Sequence, residues 1–165
     1  MSGESEGYEI SLYVYCRYVE PEIPSQWGIM IHLPKCKSGD LMQVTRFYNP
    51  VGSDSYLPWH LMGKKKVDEN SKGMCKIKGG LSPEQRSEVT DKIMEAQTPD
   101  PKTHDNKNSN DWVVCALKIL EDSEFIPQGT ADIWRRMIGK TPEQLQQELG
   151  SAWKDLRKES NPTFP

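Results

Sequence analysis

Tyr8-Glu9-Ile10-Ser11-Leu12-Tyr13-Val14-Tyr15-Cys16-Arg17-Tyr18-Val19 alternates with a period of two. Tyr8, Ile10, Leu12, Val14, Cys16 and Tyr18 fall on one side; Glu9, Ser11, Tyr13, Tyr15 and Arg17 fall on the other. That period predicts a half-buried strand over 8–19 with aromatic cover, broken by Pro21 and Pro24. Residues 26–33 (QWGIMIHL) alternate in the same way, with Trp27, Ile29, Ile31 and Leu33 opposite Gln26, Gly28, Met30 and His32. A turn at Lys37-Ser38-Gly39-Asp40 leads into 41–48, which completes an antiparallel hairpin.

Working outward, residues 49–73 read as irregular, with Pro50, Gly52, Pro58, Gly63 and Gly73, and with Lys64-Lys65-Lys66 as a solvated loop. A short strand is expected over 74–78. Helices then follow, marked by their caps. Ser82-Pro83-Glu84-Gln85 is a capping box with proline at the first helical position and opens a helix to about Ala96. Asn108, with Asp111 three residues on, opens the strongest helix, 108–122, where Trp112, Val113, Ala116, Leu117 and Leu120 recur at helical spacing. A short helix covers 132–138 and stops at Gly139. Thr141-Pro142-Glu143-Gln144 repeats the box before Leu145, Leu149, Ala152, Trp153 and Leu156, an apolar stripe that predicts a helix over 141–158. The fold class is therefore α+β: an antiparallel sheet of roughly three to five strands packed against the central helix and further helices. One domain over 8–158 is expected, with a disordered tail at 1–7 and a C-terminal tail at 159–165.

Composition narrows the function classes. The chain has 165 residues, 35% of them hydrophobic, which suits one modest core and not two. No apolar run approaches the ~18 residues of a membrane span, and the acidic start (Met1 to Glu6) is unlike a targeting peptide, so a cytoplasmic protein is expected. A net charge of −3 argues against nucleic acid as a partner. Cys16, Cys36, Cys75 and Cys115 lie far apart without a CxxC pair and read as free thiols. His32, His60 and His104 lack ligand spacing, and no glycine-rich phosphate loop precedes a helix, so neither a metal nor another cofactor is expected.

Two short stretches carry a resemblance: Ser25-Gln26-Trp27-Gly28-Ile29-Met30-Ile31 on a strand and Asn108-Ser109-Asn110-Asp111-Trp112-Val113 at a helix start. They resemble the two halves of the permuted papain-like hydrolases and acyltransferases, the group of NlpC-type peptidases and lecithin:retinol acyltransferase. The family pattern is a strand beginning His-Trp-[Ala/Gly]-Ile and a later helix beginning Asn-Cys-x-x-[Trp/Phe]-Val. The match looks closest to small fungal proteins of this type; it covers 8–125 in outline and about a dozen positions in detail. The resemblance implies a papain-like core and thiol-mediated hydrolysis or acyl transfer. In that chemistry a cysteine in the first helical turn is activated by the helix dipole, and a strand histidine acts as its base.

Both reacting residues differ in this chain. Ser109 stands at the cysteine position and Gln26 at the histidine position. Glutamine does not titrate, and a helix terminus alone does not ionise serine near neutral pH. A serine introduced by engineering would leave Gln26 unexplained. His32 shares the strand face of Gln26 but lies six residues on, about 20 Å away at ~3.3 Å per residue. His60 and His104 fall in expected loops, and His104 is five residues from Ser109.

The leading expectation is a papain-like protein that has lost the thiol pair. It would bind a small-molecule or acyl-type ligand between strand 26–33 and the start of helix 108–122. Gln26, Ser109, Asn108 and Asn110 would supply polar contacts, and a non-covalent biosynthetic step (isomerisation, cyclisation or elimination) would suit them. Tyr13 and Tyr15, with Trp59 and His60 in the long loop, either line a cleft for an apolar small molecule or form a second layer of core. One alternative is a hydrolase or acyltransferase with Ser109 as nucleophile and His104 as base. Another is a protein-interaction module with no small-molecule site, carrying an apolar patch on helix 141–158.

Overall fold

Five strands precede the first helix: β1 (Tyr8–Tyr15), β2 (Gln26–His32), β3 (Ser38–Phe47), β4 (Ser55–Lys66) and β5 (Ser71–Leu81). Then come α1 (Pro83–Ile93), α2 (Ser109–Asp122), α3 (Thr130–Met137) and α4 (Pro142–Leu149), a 3-10 turn at Gly150–Ala152, and the short β6 (Trp153–Asp155). The computed structural model describes residues 7–16, 24–34, 36, 38–47, 55–66, 70–99 and 108–157. The strands form one antiparallel sheet in the order β4-β3-β2-β1-β5-β6. Apart from the short β6, strands precede helices along the chain, as in the α+β class.

The main core lies between the sheet and the helices. β1 contributes Ile10, Leu12 and Val14; β2 contributes Trp27, Ile29 and Ile31; β3 contributes Met42 and Val44. α2 closes over them with Trp112, Val113, Ala116, Leu117 and Leu120, the residues at helical spacing. Trp27 meets Trp134 of α3 edge-on, with ring centroids 5.3 Å apart. The three expected capping boxes form: Ser82 with Gln85, Asn108 with Asp111, and Thr141 with Gln144. α3 starts at Gly129 without a cap of its own, and the buried Glu121 carboxylate of α2 accepts the N–H of Ala131 instead.

The opposite face of β1 is covered as well, so the strand is not half-buried, and of the two readings left open for Tyr13 and Tyr15 the second layer of core is the one observed. Tyr13 and Tyr15 are buried with Met30, Leu41, Met74 and Leu156 in a second, smaller cluster. The sheet has six strands, more than the three to five expected. Within 49–73, read as irregular, β4 runs through Pro58 and Gly63, and Trp59 and His60 are strand residues and not loop residues. β4 is an edge strand, where a proline without an N–H is tolerated. β5 is eleven residues long, not a short strand. Its Gly73 lies under the Trp153 ring of β6, which a Cβ there would strike.

Trp153 corrects the expected helix over 141–158. Gly150 adopts a φ of 55° and ends α4, after which the chain extends as β6 along β5. Leu156, expected on a helix stripe, therefore reaches the second cluster. Ser38, Gly39 and Asp40, expected in a turn, belong to β3. α1 ends at Ile93, with single turns continuing to Ala96. Apart from Gly7, the expected tails at 1–7 and 159–165 lie outside the described residues, as do positions 17–19 of the first strand. Among the described residues no helix is long and apolar enough to cross a membrane.

Candidate functional site

The first turn of α2 meets the first residues of β2. Asn110 is fully buried; its Nδ2 donates to the Ser25 carbonyl (2.9 Å) and its Oδ1 accepts from the Trp27 N–H (3.0 Å). β3 pairs with β2 from Ile29 to Ile31, so beside Gln26 the asparagine side chain does the work of a neighbouring strand. Asn108 caps the helix by accepting from the Asn110 N–H (2.8 Å), and Asp111 accepts from the Asn108 N–H (2.7 Å). Asn108 and Asn110, expected as ligand contacts, thus direct these bonds to the backbone. Ser109 is 1% exposed and lies one residue from the Asn110 clasp, so the fold brings Gln26 and Ser109 to the same corner.

No described histidine serves that corner. His32 pairs with Glu9, at the opposite end of β2 from the Tyr15–Gln26 pair, and His60 pairs with Met42, level with Ile29 in the middle of β2. At ~3.3 Å per residue, His32 is about 17 Å along β2 from Trp27. His104 lies outside the described residues.

The sheet face away from the helices carries an uncommon number of buried polar groups. Ser11, Tyr13 and Tyr15 of β1, Gln26 and His32 of β2, Gln43 of β3 and Ser71 of β5 are all buried. Strand alternation puts them there, opposite the face holding Ile10, Leu12, Trp27 and Met42. The Tyr13 and Tyr15 rings stack with centroids 5.4 Å apart. Tyr13 shares a hydrogen bond with Ser71, and the Tyr15 hydroxyl donates to Gln43 Oε1. Gln43 Nε2 has no hydrogen-bond partner among the described residues, although Gln43 is only 1% exposed. A stranded buried amide of this kind costs about 1–3 kcal/mol.

Around that amide the surroundings are apolar and aromatic: Tyr13, Tyr15, Met30 and Leu41 on the sheet, and Trp59 directly across from Gln43 on β4. Trp59 is 42% exposed at the β4 edge. Gly28 keeps β2 low here, since a Cβ would sit 2.8 Å from Leu41 Cδ1 and 3.2 Å from the Met42 carbonyl. Tyr13 and Tyr15 are buried, so Trp59 is the ring that this corner presents to solvent, beside one buried donor. Tyr13, Tyr15 and Trp59 are among the residues that the sequence analysis placed at the ligand site or in a second core layer, and the first two belong to the buried cluster. Gln43 and Ser71 were missed; the alternation of β3 placed Gln43 on this face, but nothing local marked it as unpaired.

A second polar group ties α1 to the sheet on the helix side. Arg86 Nη2 lies 2.9 Å from Oδ2 of buried Asp40, and Nη1 donates to the Tyr8 hydroxyl (3.1 Å). The hydrogen bond to Asp40 holds the guanidinium pKa above its usual value. His60 Nε2 lies 3.7 Å from the same carboxylate oxygen. With its carboxylate already bonded to arginine, this cluster reads as a latch between α1 and the sheet. The four cysteines are free thiols, and burial pushes Cys16 and Cys75 above the ordinary thiol pKa, away from nucleophilic thiolate character. Among the described residues no cluster of histidine, cysteine and carboxylate side chains has the makings of a metal site.

No protein-family model, curated protein or solved structure matches this chain.

Proposed function

We propose that this protein binds a small, carbonyl-bearing molecule on the tyrosine face of its sheet, and that it is a papain-like chain without the thiol pair. The ligand would lie against Trp59, reach the Gln26 corner beside the first turn of α2, and accept a hydrogen bond from Gln43 Nε2. The observation that carries this reading is the buried Gln43 amide nitrogen, which has no hydrogen-bond partner among the described residues. Folding does not favour a donor left without an acceptor, so an acceptor delivered by a ligand accounts for it. The meeting of β2 and α2 through Asn110 supports the papain-like reading, since that is where the family places its reacting groups. Gln26 does not titrate, so chemistry at that corner would be non-covalent and would rest on orientation by fixed donors.

Trp59 lies beside the amide and reports on occupancy. The test is a fluorescence titration with aryl amides and aryl esters against aryl hydrocarbons of equal size, using Trp59→Phe to isolate the signal. Carbonyl compounds are expected to bind at least about tenfold tighter than the hydrocarbons, a difference of ~1.4 kcal/mol. Gln43→Leu should erase that preference. Equal binding of both classes, or a preference that survives Gln43→Leu, would overturn the reading.

A further inference from the structure

The two edges of the sheet are built differently. One is β6, three residues long, which leaves little backbone open to pairing. The other is β4, twelve residues long and paired with β3 on one side only. From Ser55 to Leu61 its register with β3 runs unbroken. Leu57 is 48% exposed there and Trp59 42%, so two of the four exposed large apolar side chains among the described residues share this one edge. By register Leu57, Trp59 and Leu61 stand across from Thr45, Gln43 and Leu41, which places all three positions on the tyrosine face.

That stretch reads the same from either end. Leu57 and Leu61 flank Trp59 at two residues on each side. A twofold contact requires such a pattern, since the same residues must meet on both copies. Pro58 sets the backbone half of the match. It has no N–H to give β3, and a strand carries proline with that side facing outward. Tyr56, Pro58 and His60 therefore turn their backbone groups to the open edge, while Leu57 and Trp59 turn theirs to β3. Charge sets the direction. Lys64, Lys65 and Lys66 end β4, and Asp54 precedes it in sequence. A parallel pair would lay one lysine run beside the other. An antiparallel pair carries each run past Ser55 of the other copy, the residue that Asp54 precedes.

We infer that β4 pairs antiparallel with β4 of a second copy of this chain, with the twofold axis at Trp59. Leu57 of each copy then lies opposite Leu61 of the other, and the His60 N–H of each donates to the Pro58 carbonyl of the other. Trp59 meets its own symmetry mate in a non-hydrogen-bonded pair, where Cα atoms approach to ~4.5 Å and side chains are closest. The two six-stranded sheets join into one. The contact runs along a single strand and is smaller than a standard interface, so the dimer dissociates on dilution. The inference goes beyond the ligand reading and does not rest on it, because Gln43 takes no part in the pairing.

The test is sedimentation velocity of the whole protein, without ligand, from micromolar to millimolar concentration. A reversible monomer–dimer equilibrium is expected. Leu57→Lys and Trp59→Lys should each weaken it at least about 30-fold, as for residues at the centre of an interface. Ile133→Lys, at an exposed apolar position on α3, should leave it unchanged. Mild oxidation reads the register separately. Trp59→Cys should join two copies through one disulfide at that position, mapped by peptide mass spectrometry, because disulfides span Cα separations of ~4.4–6.8 Å. Leu57→Cys should not link to itself, since its symmetry mate is four residues away, about 13 Å along the strand. If a lysine variant does not fold, the concentration dependence of the parent and the Trp59→Cys cross-link decide. A parent that stays monomeric at every concentration would give the edge to another partner and overturn the inference. Association that survives both lysine substitutions, or a cross-link through Leu57→Cys in place of Trp59→Cys, would overturn it as well. Gln43→Leu should leave association in place while erasing the carbonyl preference, so the ligand reading and this one fail separately.

Discussion

Two buried side-chain amides sit in this sheet under opposite circumstances. At the start of β2, Asn110 engages both its ends, carbonyl and nitrogen, with the backbone of Ser25 and Trp27. On the tyrosine face, Gln43 engages its carbonyl with Tyr15, and its nitrogen has no partner among the described residues. The first arrangement is what folding alone favours, since it completes a strand edge and anchors a helix. The second is favoured by folding only if something else supplies the missing acceptor. The residues that resemble a catalytic motif thus include a structural clasp, while the incomplete hydrogen bonding lies where no motif pointed.

Asn110→Leu is the strongest way to break this contrast. It leaves the Ser25 carbonyl and the Trp27 N–H stranded in a buried junction, at about 1–3 kcal/mol for each group. A loss of about 3 kcal/mol is expected, read as a lower denaturant midpoint with an unchanged slope. A loss below about 1 kcal/mol would assign the junction's stability to the apolar stripe of α2 and remove the clasp from the comparison.

His32 sharpens it with a smaller, pH-dependent effect. Burial lowers its pKa in the folded protein, with Lys154 and Lys76 adding to that and the Leu33 carbonyl and Glu9 opposing it. The unfolded chain therefore takes up the proton first as pH falls through about 6.5, the ordinary histidine value. Stability from this group is complete above that pH and is lost as pH falls toward the lowered folded value. Denaturation between pH 7.5 and 5 should show the decline in the parent and a shallower one in His32→Gln. Equal slopes would mean that the imidazole on the tyrosine face is not held neutral.

Much of the architecture was legible because it is local. The Asn108–Asp111 box closes within four residues, and the two-residue period of β1 and β2 fixes which side chains face the helices. What failed depended on distant partners or on one backbone angle. Leu145, Leu149, Ala152, Trp153 and Leu156 keep helical spacing, yet the positive φ of Gly150 turns the last three out of the helix. Pro58 and Gly63 signal a loop by themselves, but an edge strand accommodates both. At the candidate site, Tyr13 and Tyr15 were readable from alternation. The state of Gln43 was not, because it depends on which groups arrive from β1 and β4. The clasp of Asn110 likewise depends on partners 83 and 85 residues away.

The smallest expected change is also the most discriminating. In Tyr15→Phe alone, Gln43 loses the hydroxyl that its carbonyl accepts from, and about 1 kcal/mol of stability should go with it. Adding Gln43→Met removes both ends of the amide and keeps the side-chain volume close to that of glutamine. When both partners of a buried polar pair become apolar, stability is typically restored or exceeded. The double variant should therefore unfold within about 0.5 kcal/mol of the parent, or above it, giving a coupling energy of opposite sign to the single loss. The same double variant should bind no carbonyl compound with preference. If its stability instead falls by the sum of the two single losses, the Gln43 nitrogen contributes to the fold as Asn110 does. The two amides would then be alike, and the case for a ligand on the tyrosine face would lose its foundation.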